Sequence, residues 1–122
     1  MDKRDLKERT KQFALRILNL VDAMPPNLKG RVISQQLVEA GTSVGANYRA
    51  ACRARSKSEF VAKLGTVIEE ADESAFWLEL IMEGRILRRE LAAPLWQEAE
   101  EIIAIMTQSR KTAESTLKAP KS

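Results

Sequence analysis

No histidine occurs anywhere in the 122 residues. That absence removes the commonest general base near neutral pH and the commonest metal ligand at once. It also excludes the inward-facing Glu-x-x-His pairs on which di-iron helical bundles depend. Cysteine is reduced to Cys52 alone, so no disulfide can close within the chain. A single thiol fits a reducing, intracellular setting, and the expected location is the cytoplasm. Only five glycines and four prolines are present, two of them adjacent at Pro25 and Pro26, which leaves little to interrupt long helices. No run approaches the roughly 18 apolar residues of a membrane span, so no membrane contact is expected. The opening "MDKRDLKERTK" mixes acids with bases and makes a poor signal peptide. Nucleophilic catalysis would need Cys52 or a serine beside a base, and Lys57 and Lys63 are the only amines nearby in sequence. No enzyme activity, metal or cofactor is expected.

What is present is a mixture of 44% hydrophobic and 30% charged residues, the balance of a soluble globular domain. The net charge is only +3, but it is unevenly placed. Residues 49 to 63 hold Arg49, Arg53, Arg55, Lys57 and Lys63 against Glu59 alone. Residues 69 to 83 hold Glu69, Glu70, Asp72, Glu73, Glu79 and Glu83 with no base. A block of each sign invites either a polyanion or a complementary protein surface.

Apolar residues recur at the helical period throughout, and no run alternates as a strand would. Leu6, Phe13, Ile17, Leu20 and Met24 share one face of a helix expected over about 4–23, which ends at "MPPN". A second helix is expected over about 27–53, with Asn27 as N-cap and Ile33, Leu37, Ala40, Val44, Tyr48 and Ala51 inward. A third starts at Ser56 or Ser58, with Glu59 placed to complete a capping box from Ser56. Its stripe is Phe60, Leu64, Val67, Ala71, Ala75, Leu78 and Met82, and Gly84 suits its C-cap. A fourth, over about 89–114, carries Leu91, Leu95, Ala99, Ile102 and Met106 inward and Pro94 in its first turns. Four such helices with short connections predict an all-α, antiparallel, up-down-up-down four-helix bundle. The expected organisation is one domain over 1–114 and a flexible tail over 115–122.

The stretch "GTSVGANYRAACRARSKSEF", residues 41–60, lacks the glycine spacing, the preceding strand and the lysine of a phosphate-binding loop. Gly41 and Gly45 fall inside the second helix beside its apolar stripe, where they let a neighbouring helix come close. Asn47 stands at the border of the same stripe, an amide placed to satisfy backbone groups. Arg31, Gln35, Thr42, Arg49 and Arg53 share the opposite face, and Arg55 and Lys57 carry the charge into the turn. Two readings of that strip stand side by side. It is a solvated face, free or paired with the acidic block of the third helix, or it is a row of phosphate contacts. No aromatic residue interleaves the strip, so base stacking on it is not expected. Phe76, Trp77 and Leu80 point away from the core face of the third helix, as Leu15 and Leu18 do on the first. An aromatic patch of this kind predicts burial against another subunit.

The segment "QLVEAGTSVGANYRAACRARSKSEFVAKLGTVIEEADESAFWLELI" resembles the signature region of small four-helix bundle proteins encoded by intervening sequences of bacterial 23S ribosomal RNA genes. The similarity spans about residues 6–112, and its most specific element is Ser43, Val44, Gly45, Ala46 and Asn47, followed by the basic turn and "SKSEF". The family often has proline where this chain has Gly45, and a glutamate–glycine pair within the stretch corresponding to Arg49 through Cys52. The resemblance implies a ring-like homopentamer. It extends to accessory proteins of diversity-generating retroelements, which bind nucleic acid and associate with a reverse transcriptase. It implies no enzyme. By position, Arg49, Arg53, Arg55 and Lys57 become the expected nucleic-acid surface, for RNA ahead of DNA, joined by Arg31 from the same helix face, with the chain itself and a reverse transcriptase as expected partners. The competing expectation is an interaction scaffold whose basic strip pairs with acidic surfaces of neighbouring subunits or of another protein.

Overall fold

The structure is a computed structural model that describes residues 1–118. Four helices follow one another: α1 (Lys3–Val21), α2 (Leu28–Cys52), α3 (Lys57–Glu83) and α4 (Arg89–Lys118), and there is no strand among the described residues. Each helix packs on the next, and α1 also touches α4, while α1 and α3 stand diagonally across the bundle. None of the helices is long and apolar enough to cross a membrane.

The helix starts are written in short-range chemistry. Asp2, Asn27 and Ser56 hold extended backbone, and their side chains accept from the amides of Asp5, Gly30 and Glu59 respectively. Each removes one orphan donor, a contribution of about 1 kcal/mol per cap. The N-caps expected at Asn27 and Ser56 therefore form.

The end of α3 differs from expectation in one detail. Gly84 keeps right-handed backbone, and Arg85 takes the left-handed position at φ 54°. The amide of Ile86 donates to the carbonyl of Ile81 at 2.9 Å, and that of Arg85 to Met82 at 3.2 Å. These two bonds make a Schellman closure with arginine where glycine is usual.

The predicted stripes close over one another as a single core, from Phe13 and Ile17 of α1 to Ile102 and Met106 of α4. Three positions depart from it. Met24 and Phe60 are half-buried, and Leu91 is 41% exposed while its neighbour Ala92 is fully buried. Pro94 is the sixth residue of α4, beyond the first turn, so the carbonyl of Glu90 lacks its usual helical donor. The helix also runs further than expected. Residues 115–118 complete α4 and are not a tail, and residues 119–122 of the expected tail lie outside the described residues.

Close packing of α1 on α2 runs through the two glycines of the opening motif. A Cβ on Gly41 would meet Ile17 at 2.9 Å, and one on Gly45 would meet the carbonyl oxygen of Thr10 at 3.4 Å. Polar clamps fix the other interfaces. Arg9 donates twice to Glu98, at 2.6 and 2.7 Å, and once to Glu101 at 3.2 Å, joining α1 to α4. The hydrogen bonds to Glu98 hold the Arg9 guanidinium above its ordinary pKa range. Trp96 donates its indole N–H to Glu79 at 3.2 Å, joining α4 to α3.

Candidate nucleic-acid interface

Arg49 and Arg53 stand one turn apart on the last turns of α2, both exposed. Arg55 lies in the connection, and Lys57 is the first residue of α3. The connection is short because its caps are local. Ser56 Oγ accepts from the Glu59 amide at 3.1 Å, and the Glu59 carboxylate accepts from the Arg55 amide at 3.0 Å. The capping box thus returns one residue earlier than expected, and it locks the basic turn in place.

Packing adds cations that the sequence did not associate with the turn. Lys7 of α1 joins Arg49, Arg53 and Cys52 around a notch of about 250 Å³. Lys3, at the start of α1, places its Nζ 4.8 Å from the centre of the Phe60 ring. At an exposed site such a contact is worth about 0.5–1 kcal/mol. Lys3 and Lys7 were hidden in an N-terminal segment whose acids and bases cancel locally. Their spacing of four, which sets both on one face of a helix, is the signal that would have found them.

Beside the notch, a groove of about 590 Å³ opens where α1 and α3 begin and α2 and α4 end. Leu6, Ala51, Phe60 and Ala113 supply apolar wall, Tyr48 lies in its floor, and Lys3, Arg55 and Lys57 stand among its lining. Burial pushes the Tyr48 phenol well above its ordinary value, with Cys52 and Asp2 adding to the effect, so the hydroxyl stays protonated at neutral pH. Cys52 lines both the groove and the notch, which makes them neighbours.

Helix electrostatics separates these cations into two kinds. Arg49 and Arg53 lie at the C-terminal end of α2, where positive charge favours the helix by about 0.3–1 kcal/mol. Lys3 and Lys57 occupy the first positions of α1 and α3, where the same dipole opposes them. Neither they nor Lys7, Arg49, Arg53 or Arg55 is ion-paired to a carboxylate among the described residues; the pairs recorded are Arg9–Glu98, Arg9–Glu101 and Arg110–Glu114. The acidic block of α3 therefore does not neutralise the basic turn within one chain. Burial raises the Glu70 carboxyl above the usual range, and the like charges of Glu73 and Glu69 raise it further.

Arg31 is elsewhere. It lies at the opposite end of α2, about 27 Å from Arg49 by helical rise, and donates to the Pro26 carbonyl at 3.1 Å. It shares the face of Arg49 and Arg53 without sharing their end.

The other predicted residues divide. Phe76 is 52% exposed and Leu80 37%, whereas Trp77 is half-buried and packs against the core. Its indole packs edge-to-face with the Phe76 ring at 5.2 Å, and its buried Nε1 has no acceptor among the described residues. Within the motif, Asn47 donates to the Ser43 carbonyl at 2.9 Å, one turn back in its own helix. Gly45 faces α1, and Ala46 is exposed. These four residues shape α2 and do not reach the groove.

Comparison with known proteins agrees with this architecture. Residues 3–108 match the family described as 23S rRNA-intervening sequence protein. A crystal structure from Bacteroides thetaiotaomicron, described as a protein with unknown function from the S23 ribosomal protein family, has 33% identity to this chain and a TM-score of 0.83. The similarity covers 91% of this chain and 99% of that one. No curated protein matches. On a family match across most of its length and a shared four-helix structure, the chain belongs to the 23S rRNA-intervening sequence protein family.

Proposed function

We propose that this chain is a non-enzymatic accessory protein that assembles with copies of itself and binds nucleic acid, RNA ahead of DNA, through the basic end of its bundle. The observation that carries the reading is the placement of Lys3 and Lys57. Both sit where a helix disfavours a cation, both lack a carboxylate partner among the described residues, and both border a groove shared with Arg55. For Lys57 the stability of the isolated fold gives no reason, and for Lys3 it gives only the contact with the Phe60 ring; a bound polyanion gives a reason for both.

The helices run up and down in this reading. The connections 22–27, 53–56 and 84–88 span at most about 25 Å, less than the shortest helix at about 28 Å, which supports each helix turning back beside its predecessor. Assembly is supported by apolar surface at two places. Phe76 and Leu80 are exposed on α3, and Leu15 and Leu18 are exposed on the diagonal helix α1. Two different patches on opposite helices suit a head-to-tail contact, which closes into a ring when the rotation allows.

The deciding experiment is one triple substitution scored twice. Replacing Arg49, Arg53 and Arg55 with Gln is expected to flatten the slope of log affinity against log salt by up to about 2 for single strands, with the oligomer intact. If the same protein loses its assembly and shows no salt-dependent binding to lose, the basic turn serves contacts between subunits and the nucleic-acid reading fails.

A further inference from the structure

We propose that the end groove receives one unpaired base of a single-stranded nucleic acid while a flanking phosphate rests in the adjoining notch, an inference that rests on the nucleic-acid reading above. The groove, at about 590 Å³, falls within the roughly 300–1,000 Å³ range of small-molecule sites. Its composition is that of a site for a flat ring bearing polar edges. Phe60 and Leu6 offer apolar surface, and the Tyr48 phenol, Gln108 and Thr112 offer hydrogen-bonding groups. The notch beside it brings three cations, Lys7, Arg49 and Arg53, around about 250 Å³ with Cys52 as the shared wall.

The charge arrangement favours this occupant over a protein segment. Two acids close in sequence to Lys3 and to the basic turn are engaged in capping, Asp2 by the Asp5 amide and Glu59 by the Arg55 amide. The cations are left without carboxylate partners among the described residues. Lys3 lies over the Phe60 ring on a long, exposed side chain. A base that takes the ring displaces that ammonium towards its own phosphate, so one movement supplies both stacking and neutralisation. A paired base inside a duplex cannot enter, and the groove therefore distinguishes single strands from duplexes without reading a particular sequence. The strip on α2 has no aromatic member; the ring comes from α3, across the turn.

The test uses the full chain and a uridine octamer carrying 2-aminopurine at alternate positions, free and annealed to its complement. The unmodified protein is expected to quench the single strand on binding and to bind it more tightly than the duplex. Phe60→Tyr keeps the ring and the quenching. Phe60→Leu keeps an apolar side chain of similar bulk but loses the quenching, with affinity for the single strand falling about 5- to 150-fold. Its duplex affinity and salt slope stay unchanged, and helix content in both variants matches the unmodified protein. Binding without quenching, or Phe60→Leu binding the single strand as tightly as the unmodified protein, overturns the groove while leaving the nucleic-acid reading in place. No binding of either strand at low salt removes both.

Discussion

Gly41 and Gly45 lie four residues apart on α2 and look equivalent in the sequence, yet their surroundings give opposite expectations. A methyl group at Gly41 would press on Ile17, a fully buried β-branched side chain with little freedom to turn. Overpacking of this kind costs about 1–3 kcal/mol, which offsets or exceeds the gain of about 1 kcal/mol in helix propensity. At Gly45 the methyl would meet Thr10 at ordinary contact distance. Gly45→Ala is therefore expected to raise the denaturation midpoint, by up to about 1 kcal/mol in stability, and Gly41→Ala to leave it unchanged or lower it. Chemical denaturation of the two variants checks both signs, and a stabilised Gly41→Ala protein would contradict the packing described here. Sequence alone placed both glycines at a helix contact, because only position on the wheel was needed. It could not rank them, because the atoms they meet belong to residues 24 and 35 positions earlier.

Elements were legible where period and caps agreed, and less so where a stripe begins or ends. The starts of α2 and α3 follow from Asn27 and Ser56, whose partners lie three residues away. Leu91 was expected inward and is exposed. On the helical wheel it flanks the stripe of α4 at about the same angle as Ala92, and hydrophobicity favours the wrong one. The smaller residue lies where the helices approach, and only the neighbouring helix decides that. The end of α3 shows the same limit from the other side. Gly84 marked the correct turn, but the left-handed backbone falls on Arg85, one residue on. Holding a residue other than glycine there is strained by about 1–2 kcal/mol, partly offset by the greater freedom glycine loses on folding. Arg85→Gly should accordingly raise thermal stability, by up to about 1 kcal/mol, with the Ile86–Ile81 bond retained. A lowered melting temperature would mean that the arginine side chain contributes something other than backbone closure.

At the scale of the whole molecule, the stretch 41–60 shows the arginines, Lys57 and Phe60 of the basic end, but not the lysines that α1 adds to it. Lys3 and Lys7 come from α1, Arg49 and Arg53 from α2, and Lys57 and Phe60 from α3. A window along the chain averages the first pair against Asp2, Asp5 and Glu8, whereas folding sets them beside the arginines. The apolar patch was more visible, since Phe76 and Leu80 share one helix and need no partner to be recognised as misplaced. Phe76→Glu is the sharper probe of assembly than a change at Trp77, because Phe76 is exposed and the bundle itself does not depend on it. It should shift the protein to smaller species in sedimentation at micromolar concentration, with helix content unchanged. An unaltered sedimentation coefficient would place the contact elsewhere.

The two indoles have an optical consequence. Trp96 is tied to Glu79 within the chain, a partner that does not depend on a second copy. Trp77 packs edge-to-face with Phe76 at the border of the exposed patch, and its N–H has no acceptor among the described residues. Covering that patch dries the remaining open edge of Trp77 alone. In the proposed assembly Trp77 is therefore an unlabelled reporter of the contact. On dilution of the proposed assembly, the emission of Trp77 should drift to the red.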